Sequence, residues 1–285
     1  MHTTFEIVIA GEQKPEYAEQ AAFAAFDELD RLERELSRFV HVSDVARVNA
    51  LKPGETIRLG EPAFECLALA QRVWQETGGA FDVTLGALKD YWCRAALLQR
   101  QDRAAAKARM GMARLELHPS AREVRLNGEP VSVDLGAVGK GHAVDRMVEL
   151  LREWSIAAAL VHGGESSIYG MGAPTGAGGW KIAVANPRRP SEALRHVLLR
   201  DRSLSASSAV DEPHIIAPRT GRPARGRLGA WALASSAALA DALSTAFFVM
   251  SKAHVAAYCQ AHPDCAALCA TARGKAVAVQ AWNWP

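Results

Sequence analysis

Apolar positions recur with helical spacing along Tyr17 to Leu36, where Ala21, Phe23, Ala24, Phe26, Leu29, Leu32 and Leu36 fall roughly on one face. That period predicts a long amphipathic helix. A second helix is predicted over Glu61 to Thr77, closed by Gly78-Gly79 as a C-cap. A third is predicted over Asp102 to Met110, and a shorter turn or helix over Gly86–Trp92. Short runs rich in β-branched residues then predict strands at Thr4–Ile9, Arg114–His118, Glu123–Leu126 and Val131–Val133. Further strands are expected at Ala158–Val161, Ser166–Gly170, Trp180–Ala185 and Val197–Arg200, with a loop over Gly172–Gly179. The tail predicts a strand (Ala230–Ala234), two helices (Ala237–Met250, Ala253–Gln260) and two strands (Ala266–Ala270, Ala276–Ala281). No repeat or low-complexity linker interrupts the pattern. The expected class is α+β, with a helical N-terminal part packed on a mixed, mostly antiparallel sheet. One domain over residues 1–285, or two intimately packed subdomains, accommodates it.

Composition narrows the function only by exclusion. Of 285 residues, 49% are hydrophobic and 22% charged, as in ordinary globular proteins. A net charge of +2 gives no reason to expect nucleic acid as a partner. No apolar run is long enough to span a bilayer. The N-terminus runs straight into a strand pattern, without a basic n-region, an apolar h-region or a lipid-acceptor cysteine, so a cytoplasmic location is expected. Arg222, Arg225 and Arg227 form a local basic cluster, read as a solvated loop or as a rim attracting an anion. The five cysteines, Cys66, Cys93, Cys259, Cys265 and Cys269, fit neither a disulfide framework nor a zinc site and are expected as reduced core residues.

The chemistry concentrates in Ser132-Val133-Asp134-Leu135-Gly136-Ala137-Val138-Gly139-Lys140-Gly141. A β-branched run ends in Asp, passes three glycines and enters an amphipathic helix, His142 to Arg152. Glycines let backbone N–H groups approach a ligand, and a helix N-terminus with a lysine favours phosphate. The spacing is neither the Rossmann nor the Walker fingerprint. Downstream, Asp241 and Thr245 stand one turn apart on an Ala-rich helix, with Ser244 between them. Read on spacing alone, the pair is an Asp at a solvated helix edge with Thr bonding back to the helix. A buried and uncompensated carboxylate there calls for a cation, and hard oxygens suit Mg²⁺. His214, before an apolar run, can take a hydroxyl proton near neutral pH or can serve a turn carbonyl. Arg219-Thr220-Gly221 reads as a turn.

Six segments carry a resemblance in order along nearly the whole chain. They are Met1–Phe5, Phe81-Asp82-Val83-Thr84-Leu85-Gly86, Asp134 to Asp145, Leu160-Val161-His162-Gly163-Gly164, His214-Ile215-Ile216-Ala217-Pro218-Arg219-Thr220-Gly221 and Ala240–Ala246. In these the chain resembles the ApbE family of FAD:protein FMN transferases. The resemblance implies an ApbE-like fold, FAD as substrate, Mg²⁺ as cofactor and a flavoprotein acceptor with a Ser or Thr hydroxyl. It implies metal ligation by Asp241, Thr245 and the Ala137 carbonyl, and catalytic roles for His214 and Lys140. It implies a cofactor pocket made by Thr3, Thr4, Phe81, Asp82, Asp134, Gly136, Gly139, Lys140, His162, Gly163, Gly164, Arg219, Thr220 and Gly221, with Leu36–Phe39 and Ser43–Ala50 close to the flavin. The chain departs from the family pattern in three places. His2 replaces a glycine, Ala217 replaces an Asp, and the Ser205–Pro213 segment is short. Transfer to a protein, hydrolysis of FAD to FMN and AMP, and flavin binding without turnover therefore all stay open at this level.

Overall fold

The computed structural model describes residues 3–94, 99–164, 166–208 and 214–285. His2 and the 209–213 part of the short segment lie outside them. The backbone of a seven-stranded sheet is ordered β1 (Phe5–Ala10), β5 (Ala158–Gly163), β6 (Ser167–Met171), β9 (Arg202–Ser208), β12 (Gly229–Ala234), β13 (Ala266–Arg273) and β14 (Ala276–Trp282). Every pairing in it is antiparallel. A three-stranded sheet joins β2 (Thr56–Arg58), β4 (Glu123–Leu126) and β3 (Leu115–His118), and β7 (Trp180–Asn186) pairs with β8 (Arg189–Leu199) as a ribbon. A short hairpin pairs β10 (Ile216–Ala217) with β11 (Arg222–Pro223).

Side-chain alternation explains how the main sheet is covered on both faces. On β12, Ala230, Ala232 and Ala234 face the core shared with α7 (Ala237–Val249), while Trp231 and Leu233 face the β7–β8 ribbon. On β13, Ala267 and Cys269 take the first side, and Ala266, Leu268 and Ala270 the second. A continuous apolar run here therefore means a strand buried on both faces. Small residues beneath the Ala-rich α7 let that helix lie close to the strands. α6 (Gly139–Glu153) packs beside it, and α1 (Pro15–Leu36) packs outside α6 through Ala21 and Ala25. α3 (Glu61–Glu76) and the three-stranded sheet close the larger core. The remaining helices are α2 (Asp44–Asn49), α4 (Gly86–Cys93), α5 (Arg100–Ala108) and α8 (Lys252–Ala261). Among the described residues no helix is long and apolar enough to cross a membrane.

Three expectations change. Val131–Val133 does not form a strand; Ser132 makes one isolated parallel bridge to Leu85. The Asn49 side chain takes the place of a neighbouring strand, donating to the Val133 carbonyl at 3.0 Å and accepting from the Val133 N–H at 2.6 Å. The serine-rich stretch at 203–208, for which no strand was predicted, is a strand in the middle of the sheet. Ser203, Ser205 and Ser207 alternate with Leu204 and Ala206, which face the ribbon side. Four cysteines are buried as expected, but Cys93 at the end of α4 is exposed.

Candidate functional site

A cleft of about 900 Å³ opens where the starts of α6 and β1, the end of β5, the middle of α7 and the chain before β10 converge. It brings together Thr3, Thr4, Phe81, Asp82, Asp134, Gly136, Ala137, Lys140, His162, Gly164, His214, Asp241 and Thr245 from the sequence-predicted set. Gly139 lines an adjoining cavity of about 280 Å³ that also touches Arg38, Phe39 and Leu135. Gly163, Arg219, Thr220 and Gly221 are not part of the cleft lining.

The floor is the crossing of α6 and α7. Asp241 is 2% exposed, and its Oδ2 accepts the Gly141 N–H at 3.2 Å. Lys140 Nζ lies 3.7 Å from the same oxygen and donates to the Gly136 carbonyl at 3.0 Å. Asp241 is therefore not uncompensated: a lysine supplies the positive charge that a carboxylate buried this deeply requires. The crossing also explains a glycine. A Cβ on Gly141 would stand 2.2 Å from the Ala237 carbonyl oxygen, so only glycine lets the helices approach. One turn beyond Asp241, Thr245 Oγ1 lies 3.1 Å from Ser207 Oγ, which also meets Ser244 Oγ at 2.9 Å. Three hydroxyls from α7 and β9 thus share hydrogen bonds at the cleft edge. Sequence reasoning did not single out Ser207, whose stretch carried no strand prediction.

Asp134 anchors the opposite end of the turn. Its carboxylate receives Lys89 Nζ at 2.8 Å and the Gly136 N–H at 2.9 Å, and Arg38 Nε lies 2.7 Å from Oδ2. Burial pushes the Asp134 carboxyl up, but Lys89 and Arg38 outweigh it and hold the group below the usual carboxylate range. Arg38 also forms a two-pronged pair with Asp90 on α4, at 2.9 and 2.6 Å. Sequence reasoning did not find Lys89 as a site residue, and reached Arg38 only as part of the Leu36–Phe39 stretch that the resemblance places close to the flavin. Lys89 is 45 positions from Asp134, so no local spacing announces the pair.

Asp82 forms an Asx turn, its Oδ1 accepting from the Thr84 N–H at 2.7 Å and the Thr84 hydroxyl at 2.6 Å. Burial pushes its carboxyl up in spite of those donors. Phe81 beside it is fully buried and forms part of the cleft wall. At the end of β5, a Cβ on Gly163 would press on Val144 and Phe5, so this glycine serves packing. Gly164 has a left-handed φ of 64° and donates its N–H to the Thr4 carbonyl at 2.9 Å, tying β5 to the N-terminal strand. His162 is half-buried; desolvation lowers its pKa, with Glu6 on β1 opposing. His214 is exposed at the cleft mouth, just ahead of Ile215 and Ile216, which are buried. Arg219-Thr220-Gly221 is the turn of the β10–β11 hairpin, seated by Trp92 Nε1, which donates to the Gly221 carbonyl at 2.9 Å.

Among the described residues no group of three or more His, Cys, Asp or Glu side chains gathers around a common point. A cation held by Asp241 would draw its remaining protein ligands from hydroxyl or carbonyl oxygens. The buried carboxylate, the Thr245 hydroxyl and the Ala137 backbone in one cleft are hard-oxygen chemistry of that kind.

Comparison with known proteins extends the pattern across the chain. A model of the ApbE family matches residues 1–269, from the N-terminus into β13. The FAD:protein FMN transferase of Klebsiella pneumoniae is 27% identical over 275 residues, covering 88% of this chain and 76% of that protein. That of Escherichia coli K12 is 26% identical over 246 residues, covering 78% and 69%. The flavin transferase ApbE of Vibrio cholerae superposes with a TM-score of 0.87 at 23% identity, covering 99% of this chain and 94% of that one. The ApbE protein of Thermotoga maritima gives 0.84 at 24% identity, covering 98% and 93%. These structural likenesses show the shared architecture, and the family match over nearly the whole length, glycine turn and α7 included, shows that this chain belongs to the ApbE family.

Proposed function

We propose that this protein transfers FMN from FAD to a Ser or Thr hydroxyl of a target flavoprotein, releasing AMP. The observation that carries the reading is the single cleft in which Asp134, Lys140, His214, Asp241 and Thr245 meet from remote parts of the chain. Relatives over most of its length bear the name FAD:protein FMN transferase. In the proposed reaction the acceptor oxygen attacks the phosphorus of the FMN half. The bond from that phosphorus to the bridging oxygen breaks, and AMP departs with the oxygen. His214, exposed at the mouth, takes the acceptor hydroxyl's proton. Lys140 stands in the floor where it can balance charge on the phosphoryl oxygens. The Asp134–Lys89–Arg38 cluster fixes the glycine turn from behind.

Asp241, Thr245 and the Ala137 carbonyl would hold Mg²⁺, for which their oxygens are suited. When bound, the ion would neutralise negative charge on the pyrophosphate. The reading is tested by incubating the full chain with FAD and Mg²⁺, with and without an acceptor domain carrying a Ser/Thr-Gly-Ala-Thr segment. Mass spectrometry of the acceptor and chromatography of the nucleotides follow the products. An acceptor heavier by one FMN group, with AMP in equal amount, is the expected result. AMP release without an adduct would make the protein an FAD hydrolase, and intact FAD throughout would make it a binding protein.

A further inference from the structure

The two helices under the cleft cap each other. Asp145, one turn after Gly141 on α6, accepts the N–H groups of Ala237 at 2.6 Å and Ala238 at 2.8 Å. Asp241, one turn after Ala237 on α7, accepts the N–H of Gly141. Between the two carboxylates, Gly141 and Ala237 stand at the closest approach of the helices. The next two N–H groups of α7 have partners as well. Leu239 donates to Ser236 Oγ at 3.2 Å, and Ala240 to the Ser236 carbonyl at 3.1 Å. The four donors at the start of α7 are thus satisfied inside the protein, two of them by a side chain 92 residues away. A helix start is more often fixed by its own cap residue. Here the cap residue Ser236 is joined by the carboxylate of a neighbouring helix, which takes the first two donors, and the neighbour is the one that carries Lys140.

We propose that Asp145 is a positioning residue. By holding the N-terminus of α7 it sets the register of Asp241 and Thr245 against Gly141 and Lys140 across the cleft floor. A helix moves as a rod, so a shift at Ala237 is passed to the two turns that follow. The geometric part of the proposal stands on the structure alone; its effect on rate rests on the function proposed above. Asp145 also borders a polar cavity on the far side of α6, shared with Glu65, His142, Arg146 and Glu149. Glu149 carries the same charge into that cavity but makes its hydrogen bond to Arg146 rather than to α7. It is the natural control.

The test compares Asp145→Ala, Asp145→Asn and Glu149→Gln in the full chain, by site-resolved amide hydrogen exchange, FAD affinity and AMP release with acceptor. Gly141 is the informative amide, because Asp145 does not touch it. In Asp145→Ala the Gly141 amide should exchange about tenfold faster or more, while β5 and β6 keep wild-type protection. kcat should fall about tenfold with the FAD Kd within roughly twofold of wild type. Asp145→Asn, which keeps an acceptor oxygen, should show smaller changes in both, and Glu149→Gln none. Release of Ala237 and Ala238 with an unchanged Gly141 amide would overturn the proposal. So would a uniform rise in exchange across the sheet with kcat preserved, which would make Asp145 a contributor to stability alone. If wild type leaves FAD untouched, the proposed function fails, and the Gly141 amide by itself decides for or against the clamp.

Discussion

On the floor of the cleft, the site residues stand on helices of 15 and 13 residues whose backbones touch and whose end groups bond to each other. At the mouth, His214 leads into a hairpin of two residues per strand, held by a tryptophan N–H and a small cluster around Leu85, Leu88 and Ile216. Both regions carry glycine at a motif position, yet the glycines do different work. Gly141 is required by a helix crossing, whereas Gly221 turns a chain at φ 64°. A glycine-rich motif that reads as ligand chemistry can therefore be an instruction for packing, with ligand chemistry as the result.

Four substitutions would break or sharpen that contrast. His214→Ala has the largest expected effect, on turnover alone. AMP release should fall by roughly 10²–10⁴ while thermal stability stays put, because the side chain is exposed and acts on a proton in the transition state. Loss of FAD binding with full turnover at saturation would make it a pocket residue instead. Gly141→Ala should act in the opposite way. Its new Cβ meets backbone rather than a flexible side chain, so unfolding in urea should show a loss of about 3 kcal/mol. A near-neutral result would mean that the two helices can separate freely.

The third concerns pH. Burial depresses the His142 pKa from its ordinary 6.5 to about 4. Between those values the unfolded chain binds a proton that the folded chain refuses, so stability rises with pH across the window and is fully present above about 6.5. Going from pH 7 to pH 5 should cost about 2 kcal/mol from this group. Denaturation of His142→Phe over the same range should lack that component; an unaltered pH profile would show that the imidazole is hydrated. The smallest effect is expected for Thr220→Ala, whose hydroxyl makes only long contacts within the hairpin turn at 3.3 and 3.4 Å. Stability should change by less than about 0.5 kcal/mol. A marked drop in FAD affinity measured by calorimetry would instead show that the hairpin reaches the ligand.

Periodicity made most helices legible, because one polar and one apolar face leave a clear 3.6-residue signal in α1 and α3 and glycines mark the end of α3. The strands of the tail were legible as apolar runs. β9 was not, because its inward positions are serines, small enough to lie beneath α7, with Ser203 donating to the Ile168 carbonyl and Ser207 bonded to the α7 hydroxyls. Val131–Val133 misled for the reverse reason: β-branched residues fill a core there while a side-chain amide supplies the backbone's partners. Within the site, residue types at motif positions pointed to Asp241, Thr245 and Lys140. Their partners could not be read, since Asp145 finds α7 and Lys89 finds Asp134 only through the tertiary fold.

The mutual capping of α6 and α7 also imposes an order on synthesis. Gly141 and Asp241 are 100 residues apart in the chain. At elongation rates of roughly 5–20 residues per second, the lysine-bearing helix leaves the ribosome about 5–20 s before the helix that completes it. Throughout that interval Asp145 lacks its partners on α7 and the floor of the cleft cannot form. The nascent protein thus cannot bring both helices to the cleft until five of the seven strands of the sheet have been made, so the site forms late in synthesis.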